Sequence, residues 1–317
     1  MTVSLDVKPL LDPEVAEALS SLDLELDSLS SENLPRIRQR MAALPPVPLS
    51  NEVTCDEHFI SERDHVSVRV HRKKNAPGKL PCIYWMHGGG LVLGSSIGDD
   101  PRFDRWCPRL NCVGVSVDYA LAPESKYPGP LEDCYAGLRW VHDNAETLGI
   151  DAQRIGIGGS SAGAGLAAGL ALLARDRAEL AIAFQALFYP MLDDRQGTTS
   201  SQWQDPIWPP QANRFGWDSY LGDLTADVVP GYAAAARADD LAGLPPTFIC
   251  VGALDCFSDE DIEYATRLRH AGVPTELHVY PGAPHGFDAF APNTTVARQA
   301  NQDMENWLTS RMRSPGR

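Results

Sequence analysis

The sequence predicts an α/β protein with a mostly parallel central sheet flanked by helices. Its 317 residues, 44% of them hydrophobic and 22% charged, are enough for one large domain with a buried core. From about residue 82 onward, short apolar runs that suit buried strands alternate with longer segments that suit helices. Such alternation is typical of a parallel sheet with helices on both faces.

The elements follow in chain order. Residues 1–44 look helical with a break near Pro35, and the prolines within residues 45–48 end that segment. We expect strands at Val53–Ile60 and at residues 66–71, 82–86, 113–117, 154–157, 182–189, 247–251 and 276–280. We expect helices at residues 131–148, 162–174, 259–270 and 296–312.

Residues 195–245, called the aromatic segment below, interrupt this alternation. The segment is rich in proline, holds Trp203, Trp208 and Trp217, and is too long for a simple connection. We predict that it forms, together with residues 1–50, a helical cap over the carboxyl ends of the strands. Residues 51–194 and 246–317 would then form the catalytic core of a single domain.

Charge and composition exclude several classes of partner. The net charge of −15 argues against nucleic acid and anionic membranes. Residues 1–32 are strongly acidic, which we interpret as a solvated face, with steering of a cationic substrate as the alternative. No apolar run approaches the roughly 18 residues of a membrane span, and we see no secretory signal. We therefore expect a cytoplasmic protein.

The cysteines do not suggest a metal or redox site. There are seven of them, and none falls in a C-x-x-C pair. Cys107 and Cys112 are the closest, and no second Cys/His cluster flanks them. We therefore expect free, mostly buried thiols, no metal and no organic cofactor.

The clearest chemical motif is at residues 159–163, which read GSSAG and match the G-x-S-x-G pattern. In this pattern a sharp strand-to-helix turn holds a serine out for attack. The serine in the frame is Ser161, because Ser160 would need a glycine where Ala162 stands. Ser161 would then lie at a helix N-terminus, where the backbone field favours negative charge. Taken alone, the motif also fits an ordinary glycine-serine turn.

Upstream, residues 87–90 read HGGG, a loop type that donates backbone N–H groups to an oxyanion. With the helix after Ser161, the expected donors are the N–H groups of Gly88, Gly89 and Ala162. His87 is expected to support this loop through a hydrogen bond rather than to act as a base. A merely flexible loop is the alternative.

A base and an orienting acid complete the chemistry of acyl transfer. Of the eight histidines, only His285 lies in a loop after a predicted strand, at the carboxyl edge where ligands bind in open α/β sheets. Asp255 also leaves a strand at that edge. We expect Ser258 to cap the next helix, which leaves Asp255 free for His285. The resulting order along the chain is Ser161, Asp255, His285.

On these motifs the chain resembles the bacterial hormone-sensitive-lipase-like carboxylesterases. The resemblance runs from about residue 81 to 287 and includes the HGGG loop, the Ser161 turn, and the runs DYALAPE, LEDCYA, YPMLDD and HGF. It implies an α/β-hydrolase fold, with catalytic roles for Ser161, Asp255 and His285. The chain is also similar to bacterial esterases that deacetylate bulky esters.

Two departures from the family pattern affect the surroundings of the predicted triad. Ser160 stands where the family usually has an acid or a threonine, and residues 256–259 differ from the usual Pro-Leu-x-Asp. Neither departure removes a catalytic group.

The expected function is hydrolysis of short- to medium-acyl carboxylic esters through an acyl-enzyme. Aromatic side chains of the aromatic segment either line an apolar pocket or pack the cap on the core: Trp203, Trp208, Phe215, Trp217 and Tyr220. An amidase resembling arylacetamide deacetylase, a lyase and a small-molecule receptor are the alternatives. The expected partner is a small-molecule ester. The resemblance also implies a homodimer through an edge strand such as residues 276–280.

Overall fold

A computed structural model describes residues 5–22, 25–60 and 63–313. Its centre is one eight-stranded sheet. The strands are β1 Val53–Ile60, β2 Arg63–Lys73, β3 Leu80–Met86, β4 Val113–Asp118, β5 Ile150–Ser160, β6 Gln185–Phe188, β7 Thr247–Gly252 and β8 Thr275–Tyr280. All eight predicted strands are present.

Helices cover both faces of this sheet. Within the described residues they are α1 Pro13–Leu19, α2 Leu34–Ala42, α3 Asp100–Leu110, α4 Gly129–Asp143, α5 Ala162–Arg177, α6 Pro210–Leu221, α7 Ser258–His270, α8 Phe287–Phe290 and α9 Thr295–Met312. None of the helices in this described part of the chain is long and apolar enough to cross a membrane.

The strand order positions the predicted site. The order is β1-β2-β4-β3-β5-β6-β7-β8, and every pair from β4 through β3 to β8 is parallel, while β1 and β2 are antiparallel additions. Parallel strands end at the same edge of a sheet. Ser161 follows β5, Asp255 follows β7, and His285 follows β8, so all three leave the sheet at that edge. The predicted α/β architecture is confirmed.

Burial of the central strands explains why they read as continuous apolar runs. Every residue of β3 is buried, because α5 covers one face of the sheet and α3 and α9 cover the other. Alanine and glycine dominate α5, and small side chains let its backbone lie close to β3. Close packing of this kind fixes the start of α5, where Ser161 lies.

Several predicted boundaries were wrong. The helix expected at residues 131–148 ends at Asp143, because the side-chain amide of Asn144 bonds to the carbonyl of Trp140 and the chain then turns. The strand expected at residues 182–189 is only β6, because Tyr189 adopts a left-handed backbone (φ 36°) that cannot continue a strand.

The N-terminal region also differs from its prediction. Pro35 does not break a helix but stands in the first turn of α2, where its missing N–H has no cost. Residues 1–4 and 23–24, part of the predicted helical segment, lie outside the described residues. The helix α3 was not predicted, although Phe103, Trp106 and Cys107 form its buried face, because Pro101 and Pro108 obscured the helical pattern.

The N-terminal segment contacts distant parts of the chain. The N–H of Asp12 donates to the carbonyl of Gly282 at 2.9 Å, just after β8. Asp6 pairs with Gln204 of the aromatic segment, and the side-chain amide of Gln211 donates to the carbonyl of Asp27 at 3.3 Å. The two regions predicted to form a cap therefore touch each other.

Candidate active site

The turn between β5 and α5 holds Ser161 in a strained backbone conformation. Its φ is 55° and its ψ is −121°, in a region that residues other than glycine rarely adopt. Gly163 makes the turn possible by close approach, since a Cβ there would stand 2.1 Å from the carbonyl oxygen of Met86. The strained turn is the geometry that the G-x-S-x-G motif requires.

The structure brings Ser161, His285 and Asp255 into one hydrogen-bonded line. His285 Nδ1 lies 2.9 Å from Asp255 Oδ2, and His285 Nε2 lies 2.9 Å from Ser161 Oγ. A carboxylate oxygen accepts hydrogen bonds, so Nδ1 is the ring nitrogen that carries the hydrogen and donates the hydrogen bond to Asp255. Nε2 is then the acceptor for the Ser161 hydroxyl, as a general base must be.

All three side chains are buried, and the imidazole is held on two sides by aromatic edges. The rings of Tyr189 and Phe257 lie 4.8 and 5.0 Å from the ring of His285. Burial by itself would lower the pKa of His285, but the charge and hydrogen bond of Asp255, with smaller effects of Asp205 and Asp288, leave it raised. The site therefore favours the imidazolium that would form when Ser161 loses its proton.

The helix that follows Asp255, α7, begins differently from the prediction. Asp255 Oδ1 accepts the N–H of Phe257 at 2.9 Å, and α7 begins at Ser258. The expectation that Ser258 caps this helix was wrong, because Ser258 is itself the first helical residue. Asp255 thus has one oxygen that fixes its own loop and one that faces His285.

The glycine loop lies directly beside Ser161. A Cβ built on Gly88 would stand 3.5 Å from the Cβ of Ser161, and the φ of Gly89 is +124°. Among the described residues, no acceptor takes the N–H groups of Gly88 and Gly89. Ala162 is the first residue of α5, so its N–H has no acceptor within the helix. Gly88 and Ala162 therefore border Ser161, and the N–H groups of Gly88 and Gly89 have no acceptor among the described residues.

His87 supports this loop from within. Its Nδ1 lies 2.8 Å from the carbonyl oxygen of Gly88, and its ring stacks on Tyr119 with the centroids 4.2 Å apart. The Tyr119 hydroxyl donates to the carbonyl of His87 at 2.8 Å. The Ser161 hydroxyl has His285 as its basic partner, so His87 has the geometry of a loop support.

The aromatic segment contributes aromatic side chains that are buried and others that are partly exposed. Trp208 is buried, and its indole lies against Gly90 of the glycine loop. Trp217 and Tyr220 are also buried and belong to the hydrophobic core, with ring centroids 6.3 Å apart. Trp203 and Phe215 are partly exposed. Of the five predicted aromatic residues, Trp208 has the clearest contact with the loop beside Ser161.

Only one group in the described part of the chain has the geometry of a metal site. Cys55, His71 and Asp100 place one ligand atom each within 4.8 Å of one another. However, Arg69 donates to both oxygens of Asp100, at 3.0 and 2.7 Å. A divalent cation would meet that guanidinium charge, so these residues do not fit a metal.

Comparison with known proteins identifies the family. A protein-family model described as the alpha/beta hydrolase fold matches residues 83–289. This chain belongs to that family. Esterase LipI of Mycobacterium tuberculosis (strain H37Rv) is 32% identical over 300 residues, which cover 93% of this α/β-hydrolase and 93% of LipI. The predicted resemblance and fold class are confirmed.

Two further proteins match over nearly their whole length. Carboxylesterase NlhH of Mycobacterium tuberculosis is 32% identical over 310 residues, which cover 95% of this α/β-hydrolase and 96% of NlhH. A solved structure described as a bacterial heroin esterase superposes with a TM-score of 0.91 and 38% identity. That superposition covers 97% of this α/β-hydrolase and 100% of the heroin esterase.

The sequence reasoning did not single out Arg102, Asp288 and Tyr189, which lie near the predicted triad of this α/β-hydrolase. Arg102 of α3 lies over the rings of Trp85, Trp106 and Phe188, at 4.8, 5.1 and 4.7 Å. Its guanidinium reaches Ser160 Oγ and Asp288 Oδ2, both at 3.4 Å, and Asp288 accepts the hydroxyl of Tyr189 at 2.6 Å. No local sequence signal marks these partners, because Arg102 comes from α3, Tyr189 from the residue after β6, and Asp288 from α8.

Proposed function

We propose that this chain is a carboxylesterase that hydrolyses short- to medium-acyl esters through Ser161, His285 and Asp255. The observation that carries the proposal is the hydrogen-bonded line in which His285 joins Ser161 and Asp255, both at 2.9 Å. The enzyme class, a carboxylic ester hydrolase, is supported by the family and by the names of LipI, NlhH and the heroin esterase.

In the proposed reaction, Ser161 Oγ attacks the ester carbonyl carbon while its proton passes to His285 Nε2. The N–H groups of Gly88, Gly89 and Ala162 bind the oxyanion that forms. His285 then returns the proton to the leaving alcohol, and an acyl group remains on Ser161. A water molecule, deprotonated by His285, attacks this acyl-enzyme and releases the carboxylic acid. Asp255 orients the imidazole in both halves.

The proposed cap, residues 1–50 with the aromatic segment, would bound the acyl pocket. Trp208 supports this assignment because its indole lies against Gly90. Trp203 and Phe215, which are partly exposed, are proposed to meet the substrate from the same side. A covered, aromatic site would favour short and medium acyl chains over long ones. The homodimer through β8, an edge strand of the sheet, and the cytoplasmic location stay predictions.

The test is hydrolysis of p-nitrophenyl esters from acetate to laurate by the wild-type protein, Ser161→Ala and Ser160→Ala. We expect turnover of the shorter esters that falls by about 10⁶-fold in kcat in Ser161→Ala. Ser160→Ala is the matched control, because it leaves the proposed nucleophile in place. Turnover that survives in Ser161→Ala would contradict the proposed nucleophile, and a preference for laurate would contradict the bounded pocket.

Two further measurements test the alternatives. A p-nitroanilide of the preferred acid, turned over faster than the matching ester, would indicate an amidase. Failure of a fluorophosphonate probe to label Ser161 would favour a lyase or a receptor, since neither needs a nucleophilic serine.

A further inference from the structure

Asp205 is a buried acid of the aromatic segment that bonds to the backbone of the proposed base. Its Oδ2 accepts the N–H of His285 at 2.8 Å, across 80 residues of sequence. Its Oδ1 accepts the N–H groups of Ile207 at 2.7 Å and Trp208 at 3.0 Å. One carboxylate therefore joins the backbone of His285 to that of Trp208, and both of its oxygens have hydrogen-bond donors.

We propose that Asp205 is a positioning residue for His285, which holds the base in register with Ser161 and supplies a second negative charge beside the imidazole. The proposal rests on the proposed function, since it assigns a role in the same reaction. Asp255 controls the imidazole through Nδ1, whereas Asp205 controls the backbone from which the side chain extends. Two fixed points, one on the ring and one on the backbone, define where Nε2 lies.

The contacts of Trp208 extend this control to the other parts of the site. The Trp208 indole lies against Gly90 of the glycine loop, and its carbonyl accepts the thiol of Cys256 at 3.3 Å. Cys256 directly follows Asp255. Through Asp205 and Trp208, the base, the glycine loop and the turn of the acid are thus held by one short stretch of the aromatic segment. A displacement of this stretch would misalign all three.

The negative charge of Asp205 also acts on the imidazole of His285. Burial, reinforced by the nearby charge of Asp255, raises the pKa of Asp205 to about 6, so Asp205 is ionised above that pH. The other titratable groups that face His285 are Asp255 before α7, Asp288 on α8 and Tyr189 after β6. Burial keeps the thiol of Cys256, which also faces Asp205, protonated by raising its pKa. Among these groups, the acids all favour a protonated imidazole.

The test is Asp205→Asn, with kcat and KM measured against pH on the ester that the wild-type protein prefers. Asparagine keeps the size of the side chain but removes the charge and one acceptor. We expect kcat to fall by about 10- to 100-fold, with a smaller change in KM, because the base is misaligned rather than the substrate unbound. The acidic limb of the pH profile is described by the pH at which kcat/KM reaches half its maximum on the acid side. Loss of the charge should move this limb down by about one pH unit.

Asp104→Asn is the matched control. Asp104 also accepts a backbone N–H, that of Ser50 at 2.9 Å, but on α3 and outside the site. We expect this variant to keep the wild-type kcat and the wild-type position of the acidic limb of kcat/KM. A merely structural role for Asp205 would lower the unfolding temperature and leave the limb of the folded variant in place, and that result would overturn the proposal.

The failure of this proposal is distinguishable from failure of the proposed function. If turnover survives in Ser161→Ala, the proposed function fails and Asp205 has no base to position. If turnover depends on Ser161 while Asp205→Asn keeps both kcat and the limb, only the role of Asp205 is overturned. Should Asp205→Asn not fold, Asp205→Glu keeps the charge but shifts the carboxylate. We then expect an unmoved limb with a lowered kcat, and an unchanged kcat would overturn the proposal.

Discussion

A Cβ atom built on Gly90 would stand 2.1 Å from Cη2 of the Trp208 indole, far inside any normal contact. Gly90 also has a φ of +59°, which other residues rarely adopt. The third position of the HGGG loop therefore requires glycine for two reasons, the contact with Trp208 of the aromatic segment and its own backbone conformation. This relationship links the loop that is proposed to bind the oxyanion with the proposed wall of the acyl pocket.

Gly90→Ala is accordingly expected to displace Trp208 and to lower the free energy of unfolding by about 1–3 kcal/mol. Ester turnover should fall as well, because the glycine loop would shift away from Ser161. Gly98→Ala is the control, since a Cβ there meets nothing within 4 Å, and its unfolding temperature should match the wild type. A Gly90→Ala/Trp208→Ala double variant should recover part of the loss, whereas strictly additive losses would contradict the contact.

The pH dependence of the wild-type reaction follows from the environment of His285. Burial alone would lower its pKa, but the charge and hydrogen bond of Asp255, together with the charges of Asp205 and Asp288, leave the pKa above its ordinary value of 6.5. The base must be neutral to accept the proton of Ser161, so kcat/KM should rise with pH to half its maximum above 6.5. The measurement is kcat/KM from pH 5 to 9 with an uncharged ester. A midpoint at or below 6.5 would contradict the predicted balance. His278→Gln should leave the midpoint unmoved, because the ion-pair partners of His278 are Glu276 and Asp303 and not the proposed triad.

Asp261 in α7 is expected to destabilise the protein at neutral pH. Neither of its carboxylate oxygens has a hydrogen-bond partner within the described residues. Burial, reinforced by Glu260 and Asp255, raises its pKa well above the ordinary range. Stability from such a group is complete below its unfolded pKa and is lost as the pH rises through the folded pKa. Asp261→Asn should therefore raise the free energy of unfolding at pH 8, by about 1–3 kcal/mol, and the gain should shrink towards pH 4.

A neighbour on the same helix is the control for this prediction. Asp259 Oδ2 accepts the N–H of Ser200 at 2.9 Å. Asp259→Asn should therefore lower the free energy of unfolding by about 1 kcal/mol. Denaturant unfolding at pH 4 and pH 8 measures both variants. A loss of stability in Asp261→Asn at pH 8 would show that its carboxylate has partners.

Arg102, whose side chain is largely covered, and the buried Asp288 should be coupled. Removing one partner leaves an uncompensated buried charge, so Arg102→Met and Asp288→Asn are each expected to lower the free energy of unfolding by about 3–5 kcal/mol. The double variant should lose less than the sum, which a double-mutant cycle measures. Arg109→Met is the control. The side chain of Arg109 is half-exposed, and its partner Glu305 keeps an ion pair with Arg105. Additive losses of Arg102 and Asp288 would contradict the coupling.

The sequence predicted those features that local pattern controls. The buried strands read as apolar runs, and the turn at Ser161 and the loop at Gly88 are marked by glycines that their backbones require. His285 and Asp255 were found because both follow strands at the same edge of the sheet. Placing His285 and Asp255 at one edge needed only parallel strands, and the alternation of strands with helices indicates a parallel sheet.

The missed features depend on contacts between distant residues. Asp205 meets His285 across 80 residues, and Arg102 meets Asp288 across 186. An acid in a proline-rich segment and an arginine on an amphipathic helix look like surface residues until the fold is known. The end of β6 was missed for another reason, since the left-handed backbone of Tyr189 is imposed by its surroundings and not by its residue type.

The bond from Asp12 to Gly282 has a consequence for the order in which the protein matures. On a ribosome, Asp12 can reach this partner only after β8 has been translated. Early collapse of the first strands would therefore proceed without it. Asp12 is translated long before its partner, so a nascent chain that stops before Gly282 would leave Asp12 without this anchor.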